Sequence, residues 1–101
     1  MSRFLEHATR LMEAAEEAVQ AGHGVSDVTV LIHQGGGLHL LMHNDWPLDS
    51  LIEDRGADLA YRVSGQAGAI RVQGKSRNRN CVLESKSPER VARQLLGPSL
   101  Q

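Results

Sequence analysis

The first segment of the chain repeats apolar positions about every 3.6 residues, the period of an α-helix. Between residues 3 and 21 most charged side chains lie off one apolar stripe, which consists of Phe4, Leu5, Ala8, Leu11, Met12, Ala15, Ala18 and Val19. The pattern predicts an amphipathic helix. Ser2 is placed to cap its first turn, and Gly22 is placed to end it in the left-handed conformation that glycine adopts without penalty.

Two alternating segments after this helix predict a β-hairpin. Residues 25–34 direct every second apolar side chain to one face, and a second apolar run, residues 38–43, follows three glycines. If these glycines form the loop, Gln34 lies opposite Leu38 and the best apolar set stays on one face. The same register gives three pairs on the other face: Leu31 with Leu41, His33 with His39, and Thr29 with His43.

Two further helices are predicted from the residues at their ends. Pro47 suits a first helical turn and Gly56 a helix end, and the buried side would consist of Leu48, Leu51 and Ile52. The last helix begins with Ser87 as cap and Pro88 in its first position, and we expect it to stop at residues 97–98, a Gly-Pro pair.

Three alternating runs, residues 58–64, 69–75 and 80–85, predict an antiparallel meander. One set of side chains shares a core face: Leu59, Tyr61, Val63, Ile70, Val72, Gly74, Cys81 and Leu83. The element order is then αββαβββα in a single α+β domain, residues 1–101, with an antiparallel sheet of about five strands and helices packed on it. This order resembles that of profilin-like and roadblock-type domains. Because fold analogy does not determine function, no residue or activity is transferred from them.

Composition limits the class of protein. The 101 residues suit one domain, and with aromatic residues at 3% the core must be aliphatic. A single cysteine, Cys81, excludes an internal disulfide and fits a reducing compartment, so the cytoplasm is the expected location. We see no signal peptide and no apolar run of about 20 residues, so no membrane segment is expected.

Charge is sorted along the chain, with ten acids and three bases up to Asp58, then eight bases and two acids. In the meander we expect these opposed pairs: Val63 with Ile70, Arg62 with Arg71, Val72 with Leu83, Arg71 with Glu84, and Lys75 with Asn80. A basic strip would result, made of Arg62, Arg71, Lys75, Arg77 and Arg79. It could bind a phosphate group or an acidic protein surface, or it could be a solvated face with weak ion pairs. The sequence pI of about 6.5 and the lack of an interleaved aromatic argue against nucleic acid.

The hairpin histidines His33, His39 and His43 form a second candidate site. Opposed imidazoles on adjacent strands are close enough to share a transition metal. No characteristic ligand spacing accompanies them, so three partly exposed histidines are the commoner interpretation. We identify no catalytic residue and no cofactor site, because no nucleophile is paired with a base.

The apolar residues on the face away from the core need cover from helices or from another subunit: Leu31, Leu41, Ala60, Ala69 and Val82. Together with the sorted charge, they favour a non-enzymatic interaction domain that self-associates, most simply as a homodimer. The alternatives are an anion-binding or nucleic-acid-binding domain that uses the basic strip, and a small metal-binding protein that uses the histidines.

Overall fold

The computed structural model describes residues 3–22, 25–35, 37–42 and 44–100, with the side chains of 97–100 excepted. The described chain is α+β, as predicted, with the element order αββαβββα. Its elements are α1 (Arg3–Ala21), β1 (Asp27–Ile32), β2 (Leu38–Met42), α2 (Leu48–Arg55), β3 (Leu59–Gln66), β4 (Ala69–Ser76), β5 (Leu83–Ser85) and α3 (Pro88–Leu100).

The five strands form one antiparallel sheet in the order β2-β1-β3-β4-β5. Helices α1 and α3 cover one face, and α2 covers part of the other. The larger core lies beneath α1 and α3 and is built from aliphatic side chains around Tyr61. The smaller core joins Leu31 and Ala60 of the sheet to α2. Helix α2 therefore supplies most of the cover that the second sheet face needs, while Ala69 and Val82 stay exposed.

Three of the predicted helix-end signals, at Gly22, Gly56 and Ser87, are confirmed. Gly22 and Gly56 both adopt φ +66° immediately after a helix, and the Ser87 hydroxyl accepts a 3.3 Å bond from the Arg90 amide. Pro47 occupies the cap position before α2 rather than the first turn. Ser2 lies outside the described residues. These ends follow local chemistry, which explains why the sequence predicts them well.

The register predicted for the first hairpin is wrong by two residues. Ile32, not Gln34, lies opposite Leu38, and the further pairs are Leu31 with His39 and Thr29 with Leu41. The loop is longer than the three glycines. It is closed by a 2.9 Å hydrogen bond that the His33 amide donates to the Gly37 carbonyl oxygen. A two-residue shift preserves the faces, so the predicted apolar set stays together. His43 lies outside the described residues.

The register predicted for the meander is also shifted by two residues. Val63 lies opposite Val72 rather than Ile70, and Arg62 lies opposite Gln73 rather than Arg71. The reason is that β3 and β4 continue through Gly65 to a two-residue turn at 67–68.

Strand β5 is shorter than predicted and begins only at Leu83, which lies opposite Gly74. Val72 therefore lies opposite Ser85, and the predicted pair of Lys75 with Asn80 does not form. Cys81, predicted to face the core, is exposed in the segment before the strand. The alternation of 80–85 did not distinguish a strand from the loop that leads into it.

Helix α3 continues through the predicted stop at Gly97 and Pro98. Proline has no N–H, so Pro98 leaves the carbonyl oxygen four residues earlier, that of Gln94, without its helical donor. Arg79 Nη2 donates to this oxygen at 2.5 Å. A side chain from the β4–β5 connection thus replaces the missing helical hydrogen bond.

Candidate interaction surface

Arg62 of the predicted basic strip is buried and bonded within the protein. Its Nε donates to Thr29 Oγ1 at 2.8 Å, and its Nη2 donates to the Trp46 carbonyl oxygen at 2.6 Å. Burial lowers the pKa of the guanidinium from its ordinary value, while Asp27 and Asp45 oppose that shift. Arg62 therefore ties the β2–α2 loop to the sheet.

The other four cations of the strip also have partners. Lys75 is buried, and its Nζ donates to two backbone oxygens. Arg77 lies 3.6 Å from an Asp58 carboxylate oxygen, and Arg71 lies 4.0 Å from one of Glu84. The Arg71–Glu84 contact was predicted, although the two residues are diagonal rather than opposed. Arg79 bonds to α3. All five side chains of the strip therefore contact other groups of the protein instead of forming one free basic face.

The structure brings two of the three candidate metal ligands together. The rings of His33 and His39 meet edge to face with centroids 5.2 Å apart, despite the shifted register. His33 Nε2 is buried without a hydrogen-bond partner among the described residues. No group of three His, Cys, Asp or Glu side chains suited to a metal occurs in the part of the chain that the structure describes.

A groove of about 950 Å³ lies between α1, the β3–β4 turn and the start of α3. Glu16 lines it, and the carboxylate accepts a 2.8 Å bond from the Tyr61 hydroxyl, which also lies 3.3 Å from the Pro88 carbonyl oxygen. Burial is the main cause that raises the pKa of both groups above their ordinary values. This contact joins α1, the sheet and α3, so we assign it a structural role.

The exposed hydrophobic side chains of the described residues are concentrated on and beside one edge strand. Leu38, Leu40 and Met42 of β2 are 40%, 55% and 49% exposed, and Trp46 in the next loop is 54% exposed; Val82 is a fifth, isolated case. The three β2 residues lie opposite Ile32, Val30 and Val28, so they share the face that α1 covers farther into the sheet. We call Leu38, Leu40 and Met42 the β2 edge surface.

This strand lacks the features that usually protect a sheet edge. Edge strands commonly carry charged residues or proline, which discourage pairing with another chain. Strand β2 has the sequence Leu-His-Leu-Leu-Met, with no acid, lysine, arginine or proline. Helix α1 packs on β1 and β3, and the apolar face of β2 remains exposed beside it. Among the described residues, the result is an apolar sheet edge with no neighbouring strand on its outer side.

Sequence reasoning missed this surface because it assigned Leu40 and Met42 to the covered core face. No local signal identified the edge, because β2 carries apolar residues on both faces: Leu41 points the other way and packs against the second core. Two apolar faces are typical of a strand inside a sheet. Only the strand order shows that β2 lies at the edge.

Comparisons with protein-family models, curated proteins and solved structures gave no match. None of the described helices is long and apolar enough to cross a membrane.

Proposed function

We propose that this chain is a non-enzymatic protein-interaction domain that forms a homodimer through the β2 edge surface. The observation that carries the proposal is an edge strand without acid, lysine or arginine that exposes three apolar side chains on one face. Contact between two such surfaces removes apolar area from water, which favours association. The proposed location is the cytoplasm, because Cys81 is an exposed free thiol and such thiols persist in reducing compartments.

The sorted charge has a smaller part in this proposal than the sequence indicated. The five cations of the strip already have internal partners, and the β2 edge surface contains no acid, lysine or arginine. Association through an apolar surface does not weaken when salt screens charges. We therefore expect a dimer whose dissociation constant changes little between about 50 mM and 500 mM salt.

Light scattering at several protein concentrations tests the proposal. The unmodified chain should give the mass of a dimer at high micromolar concentration in both salt conditions. Leu40→Glu should give a monomer, because it places a charge in the contact, whereas Val82→Glu, a matched change at an exposed apolar residue elsewhere, should remain dimeric. A monomer in both buffers would refute self-association. A dimer that only Val82→Glu dissociates would place the contact elsewhere.

A further inference from the structure

We infer that the second copy binds by antiparallel pairing of β2 with β2, centred on Leu40, so that two five-stranded sheets become one continuous sheet. The inference rests on the proposed self-association and specifies its geometry. It uses three observations: the direction of the backbone groups of β2, the registers that a two-fold axis allows, and the lack of acids, lysine and arginine in the strand.

The backbone groups of β2 that face the free edge belong to the three exposed apolar residues. The 2.9 Å bond from the His33 amide to the Gly37 oxygen makes this pair hydrogen-bonded. In an antiparallel ladder hydrogen-bonded pairs alternate with non-bonded pairs, so His39 and Leu41 bond to β1. Leu38, Leu40 and Met42 belong to the non-bonded pairs, so their N–H and C=O groups do not bond to β1. These groups are directed outward, to the free edge of the sheet.

Two-fold symmetry limits how two copies of β2 can pair. A two-fold axis perpendicular to the sheet makes the strands antiparallel and keeps α1 of both copies on the same side. Identical faces then meet, so only registers that shift by two residues are allowed. The register centred on Leu40 is the one that pairs all five residues of β2: Leu40 with Leu40, Leu38 with Met42, and His39 with Leu41.

This register satisfies both the backbone and the side chains. The residues whose N–H and C=O groups point outward oppose one another, which gives about six new inter-strand hydrogen bonds. Apolar side chains on the α1 side meet only apolar side chains, a favourable cross-strand arrangement. No acid, lysine or arginine of β2 opposes a like charge, because the strand contains none.

A second β2 fits this edge better than the other edge strand, β5. Strand β5 has three residues, and its Glu84 already contacts Gln73 and Arg71. Pairing of β2 with β5 of another copy would be head to tail and would leave free edges that extend the assembly into a filament. Pairing of β2 with itself uses the apolar edge of both copies and closes.

Cysteine cross-linking tests the register, with Cys81→Ser as the background in every variant. In the inferred register Leu40→Cys places two cysteine Cα atoms about 5.5 Å apart, within reach of a disulfide. Leu38→Cys places them about four residues apart along the strands, roughly 13 Å, which is beyond reach. We expect rapid oxidation to a covalent dimer for Leu40→Cys, and at least tenfold slower oxidation for Leu38→Cys alone. A mixture of Leu38→Cys and Met42→Cys should form the mixed dimer.

Hydrogen exchange tests the pairing of β2 with β2 on the unmodified chain, without any substitution. Dimerisation should slow exchange of the Leu38, Leu40 and Met42 amides at least tenfold at high protein concentration relative to dilute protein. The His39 and Leu41 amides should be protected at both concentrations. If the chain is dimeric but Leu38→Cys cross-links alone, the register is wrong while self-association stands. If the chain is dimeric but the alternating protection is absent, the pairing of β2 with β2 is wrong. A monomer refutes both proposals.

Discussion

Arg62 Nη2 donates a 2.6 Å hydrogen bond to the carbonyl oxygen of Trp46, so a buried arginine holds the backbone of an exposed tryptophan. The Trp46 amide in turn donates to Asn44 Oδ1 at 2.9 Å. An aromatic side chain on a fixed backbone loses little conformational entropy on binding, and tryptophan is enriched among residues that dominate binding energies. Trp46 is therefore a second candidate for contact with a partner, beside the β2 edge surface.

The Arg62 contacts predict that Arg62→Met destabilises the fold. The substitution removes the donors to Thr29 Oγ1 and to the Trp46 oxygen, so we expect the free energy of unfolding to fall by about 1–3 kcal/mol. Urea denaturation, followed by the fluorescence of the single tryptophan, measures this change in the free energy of unfolding. Arg71→Met, at an exposed arginine, should change it by less than about 0.5 kcal/mol. Equal effects of the two substitutions would contradict a structural role for Arg62.

Close packing of α3 on β4 predicts that a larger residue at Gly74 destabilises the fold. A Cβ atom there would lie 2.5 Å from Leu95 Cδ1 and 2.7 Å from Val91 Cγ1. Gly74→Ala should lower the free energy of unfolding by about 1–3 kcal/mol, the usual range for overpacking. Gly35→Ala is the control, because nothing lies within 4 Å of its added Cβ. Thermal melting of both variants decides the point, and an unchanged melting temperature for Gly74→Ala would show that α3 can move away freely.

The burial of Glu16 predicts that Glu16→Gln increases the free energy of unfolding by an amount that depends on pH. Burial raises the folded-state pKa of Glu16 above 4.5, so its protonated form favours folding. This contribution is fully present below about pH 4.5 and is lost as pH rises through the folded pKa. Glutamine mimics the protonated form and can still accept the Tyr61 bond, so the variant should be more stable than the parent at about pH 7 and equal to it at about pH 4.

Urea denaturation at both pH values tests this prediction. Glu53→Gln, which removes an exposed carboxylate on α2, is the matched control. A Glu16→Gln variant that is less stable than the parent at neutral pH would show that the charged carboxylate favours folding.

The bond from Arg79 to the Gln94 oxygen predicts coupling between Arg79 and Pro98. Arg79→Met should destabilise the chain by about 1 kcal/mol, because the Gln94 oxygen loses its donor. Pro98→Ala restores a helical N–H to the same oxygen, so Arg79→Met should have a smaller effect in that background. A double-mutant cycle from urea denaturation measures the coupling. Additive effects would show that Arg79 does not replace the missing bond.

The sequence by itself determined the elements and most of the faces. The period of residues 3–21, the cap at Ser87 and the glycines at 22 and 56 act through bonds and packing within a few residues, so they are visible in the chain. Alternation likewise sorted the strand residues correctly into two faces. A register error of two residues preserves those faces, and for this reason β1, β3 and β4 keep their predicted core residues in spite of the shift.

Tertiary structure alone decided which residues are exposed and which cations are available. Burial of Arg62 depends on the loop that carries Trp46, and exposure of Leu40 depends on β2 lying at the edge of the sheet. Both depend on strand order and loop closure, which join segments far apart in the chain and leave no local pattern. The composition of β2 is that of an interior strand, and only the assembled sheet shows that β2 lies at its edge.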